Sequence, residues 1–243
     1  MATLTAQFDF IKPLDLYKRE KPYRLFLGKP EGTPGYNPTN VQYDRESDIP
    51  IHDIRGKESE FTLEKNGFEY IQHDQTFTGF DDHERIVSEY LPETRLERQN
   101  HTLVSAAEIE RPGFMLAPAA FVHADFSLRK RVRQFLPDEA DELLKGRVQI
   151  VNVNMDRLIA VDQVYRHFVG DVYYAPYDPS YKWYFQSQMR PDEAVIFKSW
   201  DTAPGSSARV CLHSSSALPP QALPEKYEPR MSIECRTLVF SNE

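Results

Sequence analysis

The sequence predicts a mainly β protein, a sandwich or jelly roll, and three observations carry that expectation. Eighteen Pro stand against ten Gly, which suits many short strands and rigid turns better than long helices. From Val148 onward, apolar runs of strand length recur with turn residues between them. The 243-residue length is one that all-β barrels and sandwiches often use as a single domain. The 243 residues divide into an N-terminal extension over 1–60, packing on the core, and a single globular β unit over 61–243.

Residues 1–60 are polar and turn-rich. Tyr23 to Leu27 forms a short strand, and Gly28 to Gly35 forms a loop rich in Gly and Pro. Phe61 and Leu63, then Phe68 and Tyr70, alternate with polar residues. They flank Lys65-Asn66-Gly67, and Asn-Gly is a hairpin signal. Asp81 or Asp82 caps a helix over Glu84 to Leu91. Asn100 to Ala107 is a weak strand or loop. Beyond Ser127, Leu128, Val132 and Phe135 recur at near-helical spacing, with the basic residues Arg129, Lys130, Arg131 and Arg133 between them. Pro137 opens a second helical turn. Strands follow at Val148 to Val151, Val172 to Tyr174, Trp183 to Phe185, Ala194 to Trp200, Arg209 to Leu212 and Ser232 to Phe240.

The net charge of -8 argues against a general nucleic-acid binder, which needs a basic face. No run reaches the roughly 18 apolar residues of a membrane span, and no signal peptide is expected. The two cysteines, Cys211 and Cys235, make no disulfide framework, so a reducing, cytoplasmic setting is the simpler expectation.

The stretch Phe121-Val122-His123-Ala124-Asp125-Phe126-Ser127 carries the chemistry. On a strand, His123 and Asp125 project to one side and Val122 and Ala124 to the other. A His-x-Asp followed much later by a second His is the ligand order of the facial triad that holds non-haem iron and leaves open positions. His213, closing an apolar run, fits the third place; His167 is its rival. A 2-oxo diacid on such a metal needs a cation for its far carboxylate, and Arg is suited to that. Arg236, in an otherwise apolar strand, is the better candidate and Arg230 the second. Each residue also has a plainer role: Asp125 as a helix cap, His213 as a strand-end residue, Arg236 as a partner of Glu234. Order and context raise the metal reading above these.

The chain resembles the AsaB-like hydroxylase/desaturase family. The residues that carry the resemblance are His123-Ala124-Asp125, Leu136-Pro137-Asp138-Glu139-Ala140, Leu143 to Val153, Tyr177-Asp178-Pro179, Lys182 to Phe185, Asp192 to Lys198, His213-Ser214-Ser215 and Pro229 to Phe240. It spans roughly residues 60–240. After Asn152-Val153 the family carries a Trp-Arg-Pro stretch and a longer loop, where this chain has Asn154-Met155-Asp156-Arg157. The resemblance implies a double-stranded β-helix with a few flanking helices. It implies an iron(II)/2-oxoglutarate-dependent oxygenase that uses O2 on a small-molecule substrate. His123, Asp125 and His213 are then the iron ligands, and Arg236, with Arg230, the 2-oxoglutarate anchor. The basic run at 129–133 suits a substrate bearing a carboxylate. Two other readings of the same chain are a jelly-roll binding module without redox activity and a metal-dependent hydrolase or isomerase.

Overall fold

The computed structural model describes residues 3–28, 32–80, 82–90, 102–105, 121–124, 133, 137–143, 147–149, 157–203, 208–216 and 237–241. Strand β1 (Thr3–Ile11) buries Ala6, Phe8 and Phe10 and exposes Thr5 and Gln7, the period of two that a half-buried strand requires. It runs antiparallel to β3 (Tyr43–Asp53), with Ile11 opposite Tyr43, and β10 (Trp183–Phe185) adds in parallel on the far side of β3. Phe8 stacks on Trp183 at 4.5 Å, and Ile49, Ile51 and Val122 complete this core. The polar N-terminal stretch thus supplies two long strands. Their outward residues dilute the apolar signal, while every second β1 side chain from Ala6 to Phe10 enters the core.

A second sheet has the order β2 (Tyr23–Phe26), β8 (Ile159–Tyr165), β9 (Val169–Tyr174) and β6 (His123–Ala124). Its own core holds Ile11, Val41, Val161, Val172 and Tyr174. The two sheets are sewn together where Val122 N–H donates to Asp9 O at 2.9 Å, Ala175 N–H to Val122 O at 3.2 Å and Ile11 N–H to Ala175 O at 3.1 Å. Two smaller sheets pair β4 (Phe68–Gln72) with β11 (Glu193–Phe197), and β12 (Thr237–Ser241) with β5 (Thr102–Ser105) and β7 (Arg147–Gln149).

The hairpin expected at Asn66-Gly67 does not form. Leu63–Asn66 is instead one helical turn, α1, whose N-cap Thr62 accepts from Lys65 N–H at 3.2 Å. Gly67 ends it at φ 81°, and its N–H bonds Leu63 O at 3.0 Å. The same Asn-Gly pair that suits a tight hairpin also suits a helix stop, and β4 finds its partner far along the chain in β11. Asp82 does cap α2 (His83–Arg85), accepting from Arg85 N–H at 3.1 Å; the helix continues as a π turn over Ile86–Tyr90. A third turn, α3 (Ala140–Leu143), follows Pro137. Arg209 to Leu212 has no ladder of its own among the described residues. Its ties are Cys211 N–H to Lys198 O at 2.9 Å and, one residue later, the bridge of His213.

A clasp joins the end of β3 to the start of β11. Arg55 grips Glu193 through two bonds of 2.6 and 3.1 Å, and Arg190 N–H adds a third at 2.8 Å. These donors, Arg55 first, hold the Glu193 carboxyl down at about 2. Unfolded, the same group titrates near ~4.3. A carboxyl lowered by folding stabilises the native state fully above its unfolded value, and that contribution drains away as pH falls toward its folded value. The urea midpoint of Glu193→Gln should therefore fall less steeply than that of the native chain between about pH 5 and pH 2. Parallel midpoints across that window would show that the clasp does not hold the carboxylate.

Candidate metal centre

The site is built on the alternation of β6. Val122 and Ala124 are both 0% exposed and face the core, which turns Phe121 and His123 to the other side. His123 stands opposite Tyr174 of β9 on one flank. On the other it forms an antiparallel bridge with His213, each residue donating its N–H to the other's carbonyl at 3.1 Å. Directly opposed residues of an antiparallel pair project to the same face. The two imidazoles accordingly lie side by side, ring centroids 4.2 Å apart at 56°.

Each ring is oriented by its own chain. His123 Nδ1 lies 2.8 Å from Phe121 O, and His213 Nδ1 lies 3.1 Å from Cys211 O. In the tautomer that donates from Nδ1 to a carbonyl, the lone pair sits on Nε2. That is how a protein prepares a histidine to ligate a metal. Phe197 packs on the His213 ring at 4.7 Å and Phe121 on the His123 ring at 6.1 Å.

The segment that delivers His213 is braced by a buried ion pair. Lys198 is 4% exposed and Asp201 0%. Lys198 Nζ donates to Asp201 Oδ2 at 3.1 Å and to Ala208 O at 3.3 Å, while Asp201 Oδ1 accepts from Ala203 N–H at 2.9 Å. Gly67 closes the other side: a Cβ there would meet Val210 O at 3.1 Å, so the chain needs glycine for this approach as well as for its positive φ. Burial pushes the Cys211 thiol up to about 12, which keeps it protonated and a poor ligand.

His123 and His213, far apart in sequence, are brought together. Asp125, Arg230 and Arg236 lie outside the described residues, as does the basic run apart from Arg133, which pairs with Asp141 at 3.2 Å. Among the described residues no group of three His, Cys, Asp or Glu is gathered. The rival His167 is exposed in the turn between β8 and β9, at the opposite end of that hairpin from Tyr174. Six strand residues of about 3.3 Å each put it roughly 20 Å from the His123 pair. Arg24 and Tyr43, which pack on Phe121, carried no sequence signal. Only the pairing of β2 with β8 and of β1 with β3 carries Arg24 and Tyr43 to this face.

The family described as "Oxidoreductase/YMDC permease-like domain" matches residues 8–155 and 153–240. The chain belongs to this family. The two matched segments meet where Asn154-Met155-Asp156-Arg157 replaces the expected Trp-Arg-Pro stretch. The chain is 33% identical over 149 residues to aspirochlorine biosynthesis protein N of Aspergillus oryzae, covering 52% of this chain and 62% of that protein. It is 29% identical over 193 residues to the hydroxylase/desaturase asaB of Aspergillus flavus, covering 79% of each. An alpha-ketoglutarate-dependent dioxygenase, phiK of a fungal species, is 26% identical over 85% of this chain and 90% of its own. Among solved structures, the iron and alpha-ketoglutarate-dependent endoperoxidase NvfI superposes with a TM-score of 0.80 at 19% identity over 99% of both chains. A variant of the same enzyme gives 0.82 at 20% identity. The fold is the double-stranded β-helix expected from the sequence, and the resemblance to the AsaB-like hydroxylase/desaturases holds across most of the chain.

Proposed function

We propose that this chain is an iron(II)/2-oxoglutarate-dependent oxygenase that oxidises a C–H bond of a small natural-product or amino-acid-derived molecule, by hydroxylation, desaturation or oxidative ring closure. The observation that carries this reading is the His123–His213 pair, bridged backbone to backbone with both Nδ1 atoms tied to carbonyls. The donor set fits the metal. Two neutral imidazoles and the carboxylate of a His-x-Asp make the two-histidine, one-carboxylate set that suits iron(II). His123, Asp125 and His213 would hold it, and Arg236, with Arg230, would hold the far carboxylate of 2-oxoglutarate.

Bound iron(II), 2-oxoglutarate and O2 supply an oxidation strong enough for an unactivated C–H bond, with succinate and carbon dioxide as by-products. The chain's own part is orientation and exclusion of water. Phe121 and Phe197 wall the two imidazoles, and the carbonyls of Phe121 and Cys211 fix their rotation. The relatives named as hydroxylase/desaturases and dioxygenases support the same reaction class. Residues 61–243 would form the oxygenase unit, with residues 1–60 an extension that contributes strands to it. Among the described residues no helix is long and apolar enough to cross a membrane. A cytoplasmic enzyme acting on a small carboxylate-bearing molecule, with neither nucleic acid nor membrane as partner, is the simplest fit to the acidic charge and the two cysteines.

Succinate release in a screen of small acids should require iron(II), 2-oxoglutarate and O2, and should vanish in His123→Ala and Asp125→Ala. Unchanged turnover in either variant would overturn the assignment.

A further inference from the structure

One face of the second sheet runs from the surface to the histidines. Arg24 pairs in register with Gln163, Gln163 with Gly170, and Tyr174, four residues along β9, with His123. Arg24, Tyr174 and His123 therefore share a face. The contacts agree. The Arg24 guanidinium lies over the Phe121 ring at 4.6 Å and over Phe26 at 5.3 Å, and donates to Tyr174 Oη at 3.1 Å. The same Phe121 touches His123. At the outer end Phe26 is 40% exposed.

Arg166 and Arg209 donate to the backbone carbonyls of Leu27 and Asp201. Arg45, Arg55, Arg85, Arg157 and Arg190 each meet a carboxylate. Arg24, half-buried among aromatic rings, meets none among the described residues. Beside it the Tyr43 hydroxyl is buried and makes no hydrogen bond of ordinary geometry, while its ring stacks on Phe121 at 5.4 Å. Burial pushes that phenol up, so it remains a donor. A planar cation with an uncommitted edge and a buried O–H donor make a receptor for an organic carboxylate. Leaving such donors unmatched is costly, and an anion matches both.

Resting on the oxygenase reading above, we infer that Arg24 and Tyr43 form the subsite that takes the substrate's carboxylate, and that the substrate is a small carboxylic acid. The guanidinium fixes the acid end, and the rest of the molecule extends toward His123.

The test uses the full chain, stripped of metal with EDTA and titrated with benzoate, benzamide and inorganic phosphate, with binding read by saturation-transfer NMR. Benzoate should bind saturably and benzamide about 10-fold or more weaker, since only the charged form gains charge-assisted bonds. Arg24→Gln should weaken benzoate by about 10-fold or more, Tyr43→Phe by about 3-fold or more, and Arg24→Lys by an intermediate amount. Tyr43→Phe keeps the ring stack and removes an unmatched hydroxyl, so it carries the test if the arginine variants fail to fold. Equal binding of benzoate and benzamide, phosphate binding as tight as benzoate, or unchanged benzoate affinity in Tyr43→Phe and Arg24→Gln would overturn the subsite. The absorption of iron(II) with 2-oxoglutarate, measured without oxygen, should be the same in Arg24→Gln as in the native chain. Its loss in the variant alone would mean that Arg24 holds 2-oxoglutarate, and the substrate subsite would fall while the oxygenase stands. Its absence from the native chain, with benzoate binding still dependent on Arg24, would remove the oxygenase reading and leave the carboxylate subsite in place.

Discussion

Replacing His213 by Ala is expected to reduce iron(II) affinity by more than about 100-fold and to abolish 2-oxoglutarate turnover. Loss of a ligand's hydrogen-bond partner alone costs about 10–100-fold, and here the ligand itself is removed. The fold should survive, because the bridge to His123 is made by backbone atoms that Ala retains. Equilibrium dialysis against iron(II), beside a far-ultraviolet spectrum, separates the two effects. A folded His213→Ala protein that binds iron(II) as the native chain does would show that the imidazole pair is a packing feature and not a metal site.

The second large effect lies one layer behind. Lys198→Met leaves Asp201 buried and charged without its ammonium partner. Breaking a buried pair from one side costs about 3–5 kcal/mol. For a chain of this size that is a fall in Tm of about 10 °C. The double change Lys198→Met with Asp201→Asn should recover much of it. Asn can still accept from Ala203 N–H and carries no charge to strand. Because Lys198 O also holds Cys211 N–H, the single variant should loosen the approach of His213 and weaken metal binding as well. Calorimetry of the two variants decides it: equal melting temperatures for the single and double changes would mean that the pair contributes little.

The parts of this architecture that were legible in the sequence share one property, a pattern contained in a short window. The opposition of Val122 and Ala124 to His123, a cap at Asp81 or Asp82, and the strands at Val172 to Tyr174 and Trp183 to Phe185 are local, and the structure has that opposition, the cap at Asp82 and both strands. The misreadings are non-local. Asn66-Gly67 is equally good chemistry for a hairpin and for a helix stop, and the choice was made by β11, more than a hundred residues away. Thr3–Ile11 reads as polar because every outward residue is polar, and its burial depends on Trp183 and Val122. Arg24 and Tyr43, in β2 and β3 of the same polar N-terminal sixty residues, carry no motif. Their place around Phe121 follows only from sheet register, which one sequence does not contain. His213, expected at the end of an apolar run, lies across a bridge from His123.

The central claim, that His123 and His213 belong to a centre for iron(II) and 2-oxoglutarate, has one direct measurement. Iron(II) and then 2-oxoglutarate are added to the protein in the absence of oxygen, and the visible spectrum is recorded. A weak charge-transfer band should appear only with both additions, saturate with 2-oxoglutarate and be missing in His213→Ala. A flat spectrum from protein that demonstrably holds iron(II) would contradict it.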